Sequence, residues 1–300
     1  MSQRFLAIGE CMVELAPQNS GDYALNFAGD TFNTAWYLQQ LAPAGLEVAY
    51  LTGVGDDALS GQLTDFMRTS GIVPEVSTIA GRTLGLYMIS LQDGERSFHY
   101  WRDTSAARKL TQNLEAITSL AKGDMVYFSG ITMAILSDDD RVLLLETLSA
   151  ARESGVTVVF DTNLRPRLWK DVDEMCKWVM QSAAVADIAL PSFDDEANFF
   201  GDADKQATMA RYREAGVGHV IVKDGPGAVL FQDEQGAEAE FSPTLNTDVV
   251  DTTAAGDSFN AAFLAAHFKG QDMRSAIAAG CDLSHWVISH KGALVSIKII

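Results

Sequence analysis

Short apolar runs alternate with helix-length segments along most of this 300-residue chain. Strands that are covered on both faces are apolar throughout, whereas strands with one exposed face alternate. The continuously apolar runs therefore predict an α/β fold whose central sheet is largely parallel. These runs are 5–9, 48–52, 125–130, 156–161, 188–191, 219–223 and 228–232, and the helix-length segments include 137–154, 170–184 and 203–215.

Residues 82–103 depart from this pattern, because apolar and polar positions alternate there on either side of Asp93-Gly94. An Asp-Gly pair favours a two-residue hairpin turn. With that turn Tyr87 pairs with Tyr100, and both share one face with Arg102. The other face carries Leu86, Met88, His99 and Trp101. Two phenols and a guanidinium on one face are typical of contact with a polar ligand, but an amphipathic hairpin with a solvated face has the same pattern.

This hairpin lies between predicted α/β units and therefore outside the main sheet. We expect a small β lid formed from about 11–28 and 82–103, attached to a single domain that spans 1–300. The composition is 47% hydrophobic and 21% charged, which is typical of a globular chain with an ordinary core.

The net charge of −18 argues against nucleic acid or an anionic membrane as a partner, since both require positive surface. A local arginine cluster can still bind a small anion. Cys11, Cys176 and Cys281 lie far apart without a C-x-x-C spacing, which favours neither a disulfide framework nor a zinc site. No apolar run approaches the roughly 20 residues of a membrane span. We expect a cytoplasmic protein.

The stretch DTTAAGDSFN, residues 251–260, places Asp257 among small residues where a helix is predicted to begin, between Ala255 and Asp257. The first N–H groups of a helix have no internal partner and attract anions, and small side chains allow close approach. A carboxylate would repel such an anion, unless it accepts a proton from a hydroxyl that attacks a phosphoryl group. The pattern predicts Asp257 as that base, with an ordinary first-turn acid as the alternative.

Four motifs resemble those of the PfkB, or ribokinase-like, family of sugar kinases. DTTAAGD resembles the family signature D-T-x-G-A-G-D, with Ala254 at a position that is usually glycine. FAGDTFNTAWYLQQLA (27–42), TGVGDDALSG (52–61) and VKDGPGAVL (222–230) resemble three further motifs, so the resemblance covers essentially the whole chain. It implies a ribokinase-like three-layer α/β/α fold with a β lid and ATP-dependent phosphorylation of a sugar hydroxyl with Mg²⁺.

The resemblance also implies roles for individual residues. Asp257 would be the catalytic base, and the backbone N–H groups of Ala254, Ala255 and Gly256 would form the anion hole. Gly29, Asp30 and Asn33 would hold the sugar, while Asn163, Lys223, Asp224, Gly225, Gly227, Cys281 and Asp282 would bind ATP, with helix packing as the alternative for Cys281. The usual N-x-x-E motif is replaced by Ser192 and Asp195, so Asp195 or Glu196 would reach the magnesium ion, directly or through water. Dependence on a monovalent cation is common in the family, but no site for it can be assigned.

Arginines beside the predicted site favour a sugar acid. Arg165 and Arg167 follow the strand 156–161, and ligands of open α/β sheets bind beyond the carboxyl ends of strands. Guanidiniums form bidentate pairs with carboxylates, and a neutral sugar has no carboxylate to form such a pair. GDTFNTA, YWRDTSAA and NLRPRLW resemble a subgroup of the family that phosphorylates 2-keto-3-deoxygluconate. This implies that Arg165 and Arg102 bind the carboxylate and that Tyr87 and Tyr100 line the pocket.

Other functions fit the sequence less well. G-V-G at 53–55 lacks the third glycine of a dinucleotide fingerprint, and the motifs of P-loop enzymes and protein kinases are missing. A kinase of a neutral sugar such as fructose or ribose stays open, as does a non-catalytic sugar-binding protein. The expected partners are a sugar acid, ATP and a second copy of the chain, which would dock on the apolar lid face.

Overall fold

The computed structural model describes residues 3–18, 20–92, 95–233 and 235–297. The strands are β1 (Gln3–Ile8), β2 (Met12–Pro17), β3 (Tyr23–Ala28), β4 (Leu46–Val54), β5 (Val73–Thr78), β6 (Leu86–Gln92), β7 (Glu95–Trp101), β8 (Met125–Ser129), β9 (Thr157–Asp161), β10 (Ile188–Ala189), β11 (His219–Val220), β12 (Val229–Gln232) and β13 (Glu238–Phe241). The helices are α1 (Asp30–Leu41), α2 (Ala58–Thr69), α3 (Glu115–Thr118), α4 (Gly130–Ile135), α5 (Asp138–Glu153), α6 (Val172–Ala184), α7 (Phe193–Phe200), α8 (Lys205–Glu214), α9 (Ala255–Phe268) and α10 (Met273–Ile288), with 3-10 turns at Ala106–Gln112 and Pro166–Leu168.

The central sheet has seven strands in the order β11-β10-β9-β8-β1-β4-β5. Every neighbouring pair in it is parallel, as predicted. The sequence pattern did not reveal β5, because its VPEVST is only partly buried and contains Pro74. A proline and partial exposure are both typical of an edge strand.

The strand predicted at 228–232 lies outside this largely parallel sheet. It forms β12, which pairs antiparallel with β13 in a separate two-stranded sheet. A parallel neighbour needs a crossover of a dozen or more residues, whereas only the eight residues 221–228 separate β12 from β11.

Helices cover both faces of the central sheet, which makes the three layers of the predicted fold. Phe5 and Ala7 of β1 pack into one core with α1, α9 and α10, while Leu6 and Ile8 pack into the other with α5 and α6. The chain winds outward in one direction through β4 and β5 and in the other through β8 to β11. The strand order therefore reverses between β1 and β8, where α/β sheets bind their ligands.

A smaller sheet has the strand order β3-β2-β6-β7 and draws its strands from the two segments predicted for the lid. Tyr87 pairs with Tyr100, the predicted register. The predicted turn at Asp93-Gly94 lies outside the described residues. That this sheet acts as the lid of one domain stays a prediction. Among the described helices, none combines the length and the apolar character needed to cross a membrane.

Candidate active site

A cavity of about 1100 Å³ opens at the carboxyl ends of the central strands, under the smaller sheet. It brings together residues that lie far apart in the sequence. The predicted site residues that line it are Gly29, Asp30, Asn33, Tyr87, Tyr100, Arg102, Asn163, Arg165, Asp195, Lys223, Ala254, Ala255, Gly256 and Asp257. Its position at the strand-order reversal is where a ligand site is expected.

Asp257 lies in the first turn of α9, which begins at Ala255 as predicted. Its Oδ2 accepts a hydrogen bond from Nδ2 of Asn33 at 2.8 Å. Burial and the nearby Asp30 raise the pKa of Asp257 to about 8, although the Asn33 hydrogen bond opposes this shift. A carboxylate whose pKa lies near neutral pH is matched to general base chemistry.

The turn before α9 contains a strained residue. Ala254 has φ 60° and ψ 18°, the left-handed conformation that glycine adopts without steric cost. The N–H of Ala255 donates to the Thr252 carbonyl at 3.2 Å, so this donor of the predicted anion hole is already engaged. A Cβ placed on Gly256 would have open space around it, with Nζ of Lys223 nearest at 3.9 Å. The start of α9 therefore leaves room for an anion.

Asp30 begins α1 beside Asp257. Its Oδ2 accepts hydrogen bonds from Ser129 Oγ at 2.6 Å and from Asn163 Nδ2 at 2.8 Å. The backbone of Asn163 has a positive φ of 32°. Burial raises the pKa of Asp30 despite these donors. Asn163 therefore supports Asp30, and its contact with ATP stays a prediction.

Gly29 allows two backbone segments to meet. A Cβ at this position would lie 2.1 Å from the carbonyl oxygen of Glu10, so no side chain fits. The absence of a side chain at Gly29 therefore lets the chain approach itself, and its contact with the sugar stays a prediction. This contact brings the start of α1 against the connection between β1 and β2.

Two acids in the cavity were not singled out from the sequence. Glu10 follows β1 and Asp161 ends β9, and both are buried. Nζ of Lys223 lies 3.2 Å from Asp161 Oδ1 and 3.1 Å from Asn260 Oδ1. An acid directly after an apolar strand, as in FLAIGE and VTVVFD, is the signal that could have identified them.

The pattern of the pfkB family carbohydrate kinases matches residues 2–299. The chain belongs to this family.

The 2-dehydro-3-deoxygluconokinase of Haemophilus influenzae is 37% identical over 297 residues, which cover 96% of this chain and 94% of that protein. An enzyme of the same name from Dickeya dadantii is 37% identical over 299 residues, covering 97% and 96%. The aminoimidazole riboside kinase of Salmonella enterica, solved with aminoimidazole riboside and an ATP analogue, aligns with a TM-score of 0.83 at 25% identity, covering 97% and 95%. These findings confirm the ribokinase-like fold and the ATP-dependent carbohydrate kinase class.

The side of the kinase cavity formed by the smaller sheet is aromatic and holds its charged groups in hydrogen bonds or an ion pair. Tyr87 donates a short hydrogen bond to Glu14, and Arg102 forms a buried ion pair with Glu10. The rings of Phe98 and Tyr100 stack with centroids 6.4 Å apart, and both line the cavity. Sequence reasoning missed Phe98, although it lies on the same strand face as Tyr100.

The opposite wall holds the accessible guanidinium. Arg165 has a half-exposed side chain, and its Nη1 lies 3.9 Å from Oδ2 of Asp195. Burial raises the pKa of Asp195, and Arg165 opposes that shift. Arg167 lines the same cavity. Arg165 therefore has a weaker ion pair than the buried Arg102.

Glu196 does not reach the cavity, contrary to the expectation that it could bind magnesium. Its carboxylate is buried, paired with Arg211 at 2.8 Å and bonded to the Tyr212 hydroxyl at 3.1 Å. Helical rotation explains this placement, because adjacent residues of α7 point about 100° apart and Asp195 takes the cavity side. Across the described chain, no group of three or more His, Cys, Asp or Glu side chains is arranged as a metal site.

Asn163 and Lys223, two of the residues expected along the nucleotide, line this cavity. The others are not among its described lining residues: Asp224, Gly225, Gly227, Cys281 and Asp282. Asp224, Gly225 and Gly227 form a tight turn, in which a Cβ at Gly227 would lie 2.5 Å from Asp224 Oδ2. Cys281 and Asp282 lie on α10, and burial raises the pKa of the Cys281 thiol to about 11. Their nucleotide contacts stay a prediction, and the thiol is protonated at neutral pH.

Proposed function

We propose that this kinase transfers the γ-phosphoryl group of ATP to the terminal hydroxyl of 2-dehydro-3-deoxy-D-gluconate. The products would be ADP and 2-dehydro-3-deoxy-6-phosphogluconate. Two relatives at 37% identity over nearly the whole chain carry the name of this activity. The observation in the site that carries the sugar-acid proposal is the half-exposed Arg165 guanidinium in the cavity.

The chemistry follows from the arrangement around α9. Asp257 accepts the proton of the attacking hydroxyl, whose oxygen forms a new bond to the γ-phosphorus. The bond from phosphorus to the β,γ-bridging oxygen breaks, and ADP leaves with that electron pair. The free N–H groups of the first turn stabilise negative charge on the transferred group.

Magnesium would enter this site with the nucleotide. Mg²⁺ is commonly bound by one or two carboxylates together with substrate phosphates, so a full protein ligand set is not required. Asp195 lines the cavity and is the carboxylate that we propose for this contact, directly or through water. When bound, the ion offsets phosphate charge, while the chain's own groups orient the hydroxyl and take its proton. A monovalent cation stays a proposal without an assigned site.

Arg165 is the residue that we propose for the substrate carboxylate. Its Nη1 donates to the Leu164 carbonyl at 2.6 Å, but its distance of 3.9 Å from Asp195 is too long for a hydrogen bond. Its remaining donors can therefore turn to a ligand. Arg102 is already paired with Glu10 in a buried site, so it offers less net charge. Tyr100 and Phe98 would cover the apolar faces of the bound sugar.

A kinase of a neutral sugar is the second candidate. The buried Glu10–Arg102 pair favours it, because this pair removes one of the two predicted carboxylate ligands. A purely binding protein is disfavoured, because it gains nothing from Asp257 beside an anion site. If the protein is a neutral-sugar kinase, loss of the Arg165 charge leaves its activity on fructose or ribose unchanged. If it only binds sugar, neither wild type nor the variant has activity.

A coupled ADP-release assay of wild type and Arg165→Ala with the keto acid, gluconate, fructose and ribose tests the proposal. A hydrogen bond to a charged group contributes about 1.5–3 kcal/mol, so kcat/KM for the keto acid should fall roughly 10- to 150-fold. Arg108→Ala, a change of the same kind outside the cavity, serves as control. Equal losses on acid and neutral sugars, or preference of wild type for fructose, would contradict the sugar-acid proposal.

We also propose that two copies associate through the outer lid face and act in the cytoplasm, where ATP is supplied. Cross-strand pairing aligns Leu25, Leu15 and Met88 in one apolar row on this face. Trp101, which is 58% exposed, lies in the next row with Leu86. Sedimentation equilibrium of wild type and Leu25→Glu tests the association, and a monomeric wild type would contradict it.

A further inference from the structure

We infer that Lys223 is a further catalytic residue, whose ammonium contacts the transferred γ-phosphoryl group, and that Asp161 and Asn260 position it. The family resemblance implies only that Lys223 lies along the ATP. This inference rests on the proposed kinase function. It places the lysine at the reacting end of the nucleotide.

The backbone of Lys223 is held at the carboxyl edge of the sheet. Its N–H donates to the Pro191 carbonyl at 2.9 Å, and its carbonyl accepts from the Phe193 N–H at 2.7 Å. These bonds tie Lys223, three residues beyond the end of β11, to the segment between β10 and the start of α7. The side chain then extends, largely buried, into the cavity.

The ammonium ends beside the first turn of α9. The nearest heavy atom to a Cβ built on Gly256 is Nζ of Lys223, at 3.9 Å. Gly256 precedes Asp257, and its N–H is among the groups expected to receive the phosphoryl oxygens. An anion bound at this turn would therefore lie within reach of both the N–H groups and the ammonium.

A closed ring of polar side chains holds the ammonium in place. Asn260 accepts from Lys223 with its Oδ1 and donates with its Nδ2 to the Tyr127 hydroxyl at 3.0 Å. That hydroxyl in turn donates to Oδ2 of Asp161 at 3.3 Å, and Oδ1 of Asp161 accepts from Lys223. Burial raises the pKa of Tyr127 well above its ordinary value, so the phenol stays a neutral donor. An ammonium has three donors, and the two bonds in this ring leave the third for a ligand.

The charges in the cavity explain why a cation is needed at this point. Asp30, Asp161 and Asp257 all line it and would repel an incoming phosphoryl group. In a loose transition state the charge is spread over the equatorial oxygens of that group. A pre-positioned ammonium beside them stabilises this charge without reorganisation at the moment of transfer. A purely structural Lys223–Asp161 pair would leave this charge to the N–H groups and magnesium.

Steady-state kinetics of Lys223→Met test the inference, with whichever sugar wild type accepts. Loss of one preorganised donor lowers kcat by about 10²- to 10³-fold, so we expect that fall with KM for ATP changed less than about threefold. Lys109→Met, which removes a lysine paired with Asp140 outside the cavity, should stay within about twofold of wild type. A raised KM for ATP with kcat retained would overturn the inference. Acceptance of fructose rather than the keto acid would contradict only the proposed substrate.

A binding measurement gives a readout that a structural role would not change. Calorimetry with Mg-ADP and the sugar, with and without aluminium fluoride, compares the ground state with a mimic of the transferred group. We expect aluminium fluoride to tighten ADP binding by wild type at least tenfold, and this gain to vanish in Lys223→Met while ADP affinity is kept. A retained gain would overturn the inference. If Lys223→Met fails to fold, Lys223→Arg, which keeps the charge but displaces its donors, undergoes the same two tests.

Discussion

The raised pKa of Asp257 makes a quantitative prediction about stability. An aspartate in an unfolded chain has a pKa of about 3.9, whereas burial and Asp30 raise that of Asp257 to about 8. Between these two values the folded protein keeps a proton that the unfolded chain has released. The contribution of Asp257 to stability is therefore fully present below pH 4 and is lost as the pH rises through 8.

The size of this loss follows from the width of the window. Each pH unit in it lowers the free energy of unfolding by about 1.4 kcal/mol, so about four units give roughly 6 kcal/mol. Asp257→Asn keeps the shape of the side chain and an acceptor for Asn33 but does not titrate. The free energy of unfolding of Asp257→Asn should therefore exceed that of wild type by an amount that grows from pH 4 and levels off above pH 8.

Urea unfolding followed by circular dichroism at pH 5, 6, 7, 8 and 9, without nucleotide or sugar, measures this difference. Asp139→Asn, an exposed change in the first turn of α5, controls for the substitution itself. Asp257→Asn should also abolish turnover. A difference between Asp257→Asn and wild type that is independent of pH would refute the assignment of a raised pKa to Asp257, and with it the match between this base and neutral pH.

Two further changes test the surroundings of Asp257. Ala254→Gly removes a left-handed strain of about 1–2 kcal/mol but increases the entropy of the unfolded chain, which costs about 0.4–1 kcal/mol. The free energy of unfolding should therefore be equal to that of wild type or up to about 1.6 kcal/mol higher. Urea unfolding checks this, and a loss of stability would contradict the strained conformation. Asn33→Ala removes a hydrogen-bond donor to the ionised carboxylate of Asp257, so the pKa of Asp257 should rise. The pH at which kcat/KM increases should therefore be higher than in wild type by about one pH unit. A pH profile that matches wild type would show that the Asn33 hydrogen bond does not act on the base.

Local sequence signals predicted the features that depend on near neighbours. The start of α9 at Ala255 follows from small residues before an apolar helical pattern, and the Tyr87–Tyr100 pairing follows from alternation around a short turn. Strand character was readable for the same reason, since apolar runs report burial on both faces. The strand with which β12 pairs could not be predicted in this way, because pairing depends on the length of the connection between strands as well as on the apolar run.

The ionic partners in the site could not be read from the chain. Arg102 was expected to bind the substrate carboxylate, and nothing in the sequence indicated that it pairs with Glu10 across 92 positions. Lys223 meets Asp161 across 62 positions, and Glu196 turns inward to Arg211 instead of toward the cavity. Residue types and spacing determine which chemistry a segment can perform, because helices and strands form from local preferences. Which charges neutralise one another depends on the order of the strands and the rotation of each helix, and these are set by packing between elements far apart in the sequence.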